Sequence, residues 1–229
     1  LAVTSLEAEL ERARALDVDV LADAIESIGF ECTRCGACCT REETETGTEP
    51  HTATVFPDEV RELQGAVAEK SGEETEWRDV ARPMPYGLTE TDDGLEGETF
   101  EWALQTDACG DCVFYEEADG VGACGVHADR PLICETYPFS VALDGTSQPM
   151  GEAVDEAGVV RAHECEGLGR DISRDEAEEL AAALKERTVR ELEEAIGVRE
   201  TYEPADPGPG EVVVHDSEGS KAGDGTSLE

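Results

Sequence analysis

Four of the eight residues from Cys32 to Cys39 are cysteine, in the order C-x2-C-x2-C-C. Few folds tolerate that density of thiols in one short loop. Five more follow: Cys109 and Cys112 in a second C-x2-C, then Cys124, Cys134 and Cys165. Nine is odd, so a fully paired disulfide set is excluded. Residues Glu7, Glu9 and Glu11 stand where a secretory signal would be basic and then apolar. A cytoplasmic location is therefore expected, and in a reducing compartment clustered cysteines point to metal or redox chemistry. Buried free cysteines, which behave as small hydrophobes, account poorly for four in eight residues.

The spacing carries the chemistry. A C-x2-C turn brings two sulfurs to one side, and Gly36 gives the backbone the freedom to approach them. A third cysteine two residues on can join the same site. Cys38 and Cys39 are adjacent, so their side chains are expected to diverge. Two sites, or one multinuclear centre, would relieve the strain of binding a single ion with both. The same spacing occurs in bacterial ferredoxin ligation, without the Cys-Pro that closes that signature. Cys109-Gly-Asp-Cys112 lies between short strand-like segments instead of between a strand and a helix, which weakens a thioredoxin-type reading. In the stretch from Cys124 to Phe139, Pro131 and Pro138 fix the backbone around Cys134. Arg130 can offset thiolate charge or pair with a surface carboxylate. His127 and His163 could ligate but more ordinarily pack, and His51 and His215 are expected to face solvent. Trp77 and Trp102 are expected in the core.

Charge narrows the partners. The chain has 229 residues, with 56 Asp and Glu against 17 Lys and Arg, a formal net charge of −39. Such a field repels nucleic acid and anionic lipid. No apolar run approaches the 18 residues of a membrane span. The acid is spread over nearly every segment and the only lysines are Lys70, Lys185 and Lys221. That pattern resembles a halophile cytoplasmic protein: at molar salt, screening acts over about 3 Å and self-repulsion is suppressed. A monomer with an unspecified protein or small-molecule partner is expected.

The length suits one domain or a domain and a half. Thr4-Ser5-Leu6-Glu7 has capping-box spacing before a helix through Leu6, Leu10 and Ala13. A second helix runs through Val20, Leu21, Ala24, Ile25 and Ile28 to Gly29. Residues 41–50 read as an acidic loop and His51 to Phe56 as a short strand. A helix opens at Pro57, and 71–98 read mostly as loop. Thr99 to Leu104, Val113 to Tyr115 and Phe139 to Leu143 read as strands. Ser173 and Glu176 cap a long helix whose stripe includes Ala177, Leu184 and Leu192, ending at Gly197. The expected fold is α+β: a small metal-stapled domain over 1–202 with short strands, flanking helices and long loops. Residues 203–229, rich in Gly, Pro and acid, read as a disordered tail in which only Val212 to Val214 could dock.

Taken together, the C-x2-C-x2-C-C run, Cys112-Val-Phe-Tyr115, and Cys124-Gly-Val-His-Ala-Asp-Arg-Pro-Leu-Ile-Cys134-Glu-Thr-Tyr-Pro-Phe139 resemble the CxxCxxCC, or YkgJ-like, cysteine cluster family, over about residues 30–166. That family is described as zinc- or iron-chelating. The resemblance implies Cys32, Cys35, Cys38, Cys39, Cys112, Cys124, Cys134 and Cys165 as metal ligands, with Cys109 additional. It implies a metal centre, an iron–sulfur cluster or zinc, but no reaction. All-thiolate ligation suits both, and the ferredoxin-like spacing and the vicinal pair tilt the reading towards iron–sulfur. A related cluster in flagellin lysine N-methylases is associated with an iron–sulfur centre, which makes a protein-methylating enzyme the alternative. A thiol redox protein is the third reading.

Overall fold

The computed structural model describes residues 5–44, 47–92, 94–143, 151–155 and 158–228. Along the chain come α1 (Leu6–Arg14), α2 (Val18–Ile28), β1 (Glu42–Thr44), β2 (Gly47–Glu49), β3 (Thr54–Val55), α3 (Pro57–Ser71) and α4 (Trp77–Val80). Then follow β4 (Ala81–Pro83), β5 (Leu88–Thr91), β6 (Gly94–Thr99), β7 (Trp102–Leu104), β8 (Tyr115–Ala118), β9 (Val121–Cys124) and α5 (Leu132–Thr136). The last elements are β10 (Phe139–Val141), β11 (Glu152–Ala153), β12 (Val160–Ala162), α6 (Arg174–Thr201), β13 (Val212–Asp216) and β14 (Gly219–Ala222). Helices and small, separate sheets make this an α+β chain, as expected.

The chain divides into two compact units. One comprises residues 1–35 and 132–196, the other residues 36–131 and 197–229. The first is helical with an antiparallel sheet in the order β10-β12-β11. Its helices begin where side chains can satisfy free N–H groups. Ser5 Oγ accepts from Ala8 N at 3.3 Å, and Asp17 Oδ1 accepts from Asp19 N at 2.9 Å. Thr4 lies outside the described residues. Gly29 ends α2 at φ +74°, where only glycine is unstrained. Leu21, Ile25, Phe139, Val160, Ala181 and Leu184 share one apolar core. At about 25 cal/mol per Å² of apolar surface, such burial is the main favourable term.

The second unit is built from short strands. One sheet has the order β14-β13-β6-β5 and another β3-β7-β4; β1-β2 and β8-β9 are two-stranded. Strand β13 lies parallel to β6, pairing Val212 with Gly97, Val213 with Glu98 and Val214 with Thr99. Residues 203–229, expected as a disordered tail, therefore contain a hairpin inside a sheet. Val213 and Val214 are buried, and that apolar triplet outweighs the Gly, Pro and acid around it.

Other expectations change here. Val113 and Phe114, expected in a strand with Tyr115, form a turn, and β8 starts only at Tyr115. Residues 41–50 form the β1-β2 hairpin instead of a loop, with 45–46 outside the described residues. Residues 71–98 hold α4 and three strands, because Gly87, Gly94 and Gly97 take positive φ at the bends between or within short strands. The long helix α6 runs past Gly197 to Thr201. Gly197 is there for closeness: a Cβ would meet the Ser217 Cβ at 2.5 Å. Capping of α6 is as expected, with Ser173 N donating to Glu176 Oε2 at 3.0 Å and Glu176 N donating to Ser173 Oγ at 3.3 Å.

Candidate metal centre

None of the nine cysteines is in a disulfide. The unit boundaries divide them. Cys32, Cys35, Cys134 and Cys165 belong to the helical unit; Cys38, Cys39, Cys109, Cys112 and Cys124 belong to the strand-built unit.

In the strand-built unit a tight turn carries the vicinal pair. Cys39 N donates to Gly36 O at 2.8 Å, and Thr40 Oγ1 donates to the same oxygen at 3.2 Å. Gly36 is buried at φ +80°, and a Cβ there would strike the Tyr115 hydroxyl. The turn overturns the expectation that the adjacent side chains diverge. Alternation across the chain belongs to extended strand; here the backbone curls, and the two Sγ atoms lie 3.8 Å apart. Cys112 N donates to Cys39 O at 2.9 Å, and Tyr115 N donates to Cys112 O at 2.9 Å. On the β8-β9 ladder Tyr115 pairs with Cys124. The backbone thus links Cys39 to Cys112, Cys112 to Tyr115, and Tyr115 to Cys124.

Electrostatics differ across this group. The Cys38 thiol is drawn down to about 7, chiefly by its hydrogen bond with Cys39, against the opposing effect of burial. The Arg130 guanidinium helps lower it, in line with the role expected of that residue. Arg130 Nη1 also lies 3.0 Å from His127 Nε2. Burial pushes the Cys112 thiol up to about 11. One thiol is therefore partly ionised near neutrality, and another would ionise only against a bound cation, which deprotonates a coordinating thiol outright.

Cys109 stands apart. It is exposed, in a turn held by Asp107, whose Oδ1 accepts from Cys109 N at 2.8 Å and from Asp111 N at 3.0 Å.

In the helical unit, Phe30 bridges to Leu168, and Glu31 N donates to Gly167 O at 3.1 Å. Gly167 is tight against Glu31 and Phe30, so no Cβ fits there. Gly167 N lies 3.4 Å from Cys165 Sγ and can donate to it. His163 N donates to Pro138 O at 2.9 Å, and the Tyr137 hydroxyl donates to Glu164 O at 3.1 Å. Cys134 sits on α5, three residues before Tyr137. Arg34, between Cys32 and Cys35, has φ +59°, a left-handed turn that non-glycine residues seldom adopt.

The histidines sort differently from expectation. His215 is buried, with Nε2 2.7 Å from Glu98 Oε2 and Nδ1 3.1 Å from Ser220 Oγ, because β13 is an inner strand. His51 is half-buried, and burial, helped by the Arg82 charge, lowers its pKa to about 4. His127 and His163 are exposed. Trp102 is buried as expected and Trp77 half-buried against it, ring centroids 5.0 Å apart.

Among the described residues, no three His, Cys, Asp or Glu side chains already stand together in a metal-binding array. The donor set nevertheless fits a thiophilic metal. Its atoms are thiols, and within each unit main-chain hydrogen bonds join segments that carry or flank them.

Backbone-joined, cysteine-bearing loops with no disulfide make this a thiol-rich domain. A family model described as "CxxCxxCC: Putative zinc- or iron-chelating domain" matches residues 31–166. The chain belongs to this CxxCxxCC family. It matches no curated protein and no solved structure. No helix among the described residues is long and apolar enough to cross a membrane.

Proposed function

We propose that this protein chelates iron, as an iron–sulfur cluster, or zinc through Cys32, Cys35, Cys38, Cys39, Cys112, Cys124, Cys134 and Cys165. The observation that carries the reading is the link from the Cys38–Cys39 turn to Cys112, whose N–H donates to Cys39 O at 2.9 Å. That bond joins residues some 70 positions apart in sequence and sets two family thiol segments side by side. Thiolate-only donors suit both metals. The C-x2-C-x2-C spacing, shared with cluster-binding ferredoxins, favours iron–sulfur. A closed tetrathiolate zinc would staple the fold, whereas an iron–sulfur centre would add electron transfer.

The protein's own residues have definite parts in this reading. Gly36 lets the turn close beneath Tyr115, Arg130 offsets thiolate charge beside Cys38, and the low Cys38 pKa readies the first thiolate. Because ligands scattered along the chain must meet, binding energy is also folding energy.

The test is elemental analysis, inorganic sulfide assay and an absorption spectrum on protein purified anaerobically at molar salt. Iron with sulfide, or zinc, in whole-number ratio to chain is expected. Neither metal in protein prepared this way, and no uptake on reconstitution, would overturn the proposal.

A further inference from the structure

We infer that the eight family thiols form two separate four-thiolate centres, one within each unit: Cys32, Cys35, Cys134 and Cys165 in the first, and Cys38, Cys39, Cys112 and Cys124 in the second. This rests on the metal-binding reading above and adds to it a stoichiometry and a partition.

The partition follows from which cysteine-bearing segments the backbone joins, Cys35 going with Cys32 through their C-x2-C spacing. Each unit is left with four family thiols, the number that closes a tetrahedral thiolate site. Within each unit, main-chain hydrogen bonds join the segments bearing those four. In the helical unit the 30–31 segment pairs with 167–168, which holds Cys32 near the Cys165 segment. Residues 137–138 bond to 163–164, which holds the chain after Cys134 against the chain before Cys165. In the strand-built unit Cys39 O accepts from Cys112 N, Cys112 O accepts from Tyr115 N, and Tyr115 pairs with Cys124.

The vicinal pair is the step that spacing alone resists. Two adjacent cysteines can serve one centre only if their sulfurs face the same way, and the 3.8 Å Sγ separation places them so. Cys109, on its Asp107-held turn, is additional to the family spacing and is left outside both sets; its exposure does not decide this, since Cys32 and Cys35 are exposed too.

The test uses the full-length protein, purified anaerobically at molar salt and reconstituted with zinc or with iron and sulfide. Metal per chain is counted, and thiols shielded from alkylation are mapped by mass spectrometry. In the wild type two centres and eight shielded thiols are expected, with Cys109 alkylated. Cys35→Ser should lose the first centre and unshield Cys32, Cys134 and Cys165, while Cys38, Cys39, Cys112 and Cys124 stay shielded. Cys124→Ser should give the converse. Should either variant fail to fold, stepwise chelation of the wild type replaces it, and the thiols should be released in those same two groups of four. A single centre, or thiols released as one group of eight or in groups mixing the two sets, would overturn the partition while leaving metal binding intact. A wild type that takes up no metal would overturn both, and is told apart by the metal count alone.

Discussion

The two units solve the problem of a stable interior differently. The helical unit presses α1, α2 and α6 against a small sheet and fills the space with Leu21, Ile25, Phe139 and Leu184. Among the described residues, Glu9, Thr136 and Thr188 are the charged or polar ones buried there. The strand-built unit has strands of two to six residues; it buries its own apolar set, Trp102, Leu63, Val80 and Val214 among it, and places charge inside as well. Its Lys221 ammonium pairs with Asp216, both buried, and reaches Glu218 Oε2 at 2.9 Å. Asp216 Oδ2 also accepts from Trp102 Nε1 at 2.8 Å, and Arg61 Nη2 meets Glu218 Oε1 at 2.5 Å. In a chain of net charge −39, each cation drawn into the interior offsets some of the repulsion between carboxylates. The helical unit keeps its interior almost free of charge, whereas the strand-built unit adds an ionic centre to its apolar core.

One of the two largest expected effects breaks that ionic centre. Asp216→Ala removes the buried partner of the Lys221 ammonium, leaving it Glu218 alone, and strands the Trp102 N–H; it should cost about 3 kcal/mol. Trp77 and Trp102 are the chain's two tryptophans and both lie in the strand-built unit, so fluorescence during urea unfolding at molar salt reads that unit. An unchanged midpoint would mean that the pair contributes nothing. Next is Ile25→Ala, which opens a cavity in the helical core and should cost about 2–5 kcal/mol. It should shift the helical circular dichroism transition more than the fluorescence one. Equal shifts would show one cooperative body and erase the contrast between the units.

Acid sharpens the comparison at smaller scale. The folded strand-built unit keeps His51 neutral, its pKa lowered from 6.5 to about 4, first by burial and then by Arg82. Its stabilising contribution is complete above pH 6.5 and is lost as the pH falls towards 4. Glu218, held down to about 2 by Arg61 first and by Lys221, adds a loss between pH 4.5 and 2. Melting followed by fluorescence should therefore fall from pH 7 to 4 and further below; a flat profile would refute both assignments. The smallest effect belongs to Cys109→Ser, which should leave metal content unchanged and stability within about 0.5 kcal/mol. Loss of metal would place Cys109 among the ligands.

Much of the helical unit was legible in its residues. Gly29 and the Ser173–Glu176 box mark helix ends through local hydrogen bonds or a local backbone preference, which sequence displays directly, whereas α1 is capped by Ser5, one residue after the Thr4 that the capping-box spacing suggests. The C-terminal hairpin was obscured because Gly, Pro and acid dominate 203–229, while its strand signal is three valines whose partner, β6, lies more than 110 residues earlier. Gly197 illustrates a further ambiguity: a helix stop and a close approach call for the same residue, and only the position of Ser217 decides between them. At the candidate centre the family was readable from the cysteine spacing. The approach of the two adjacent sulfurs was not, because it depends on the turn at Gly36, which brings the Cys38 and Cys39 Sγ atoms to 3.8 Å.

The central claim is that thiolates alone hold the metal. X-ray absorption at the metal edge of the anaerobically purified protein tests it most directly. The account predicts a first shell of sulfur only, at about 2.3 Å if the metal is zinc. Nitrogen or oxygen neighbours at about 2.0–2.2 Å in that first shell would contradict it.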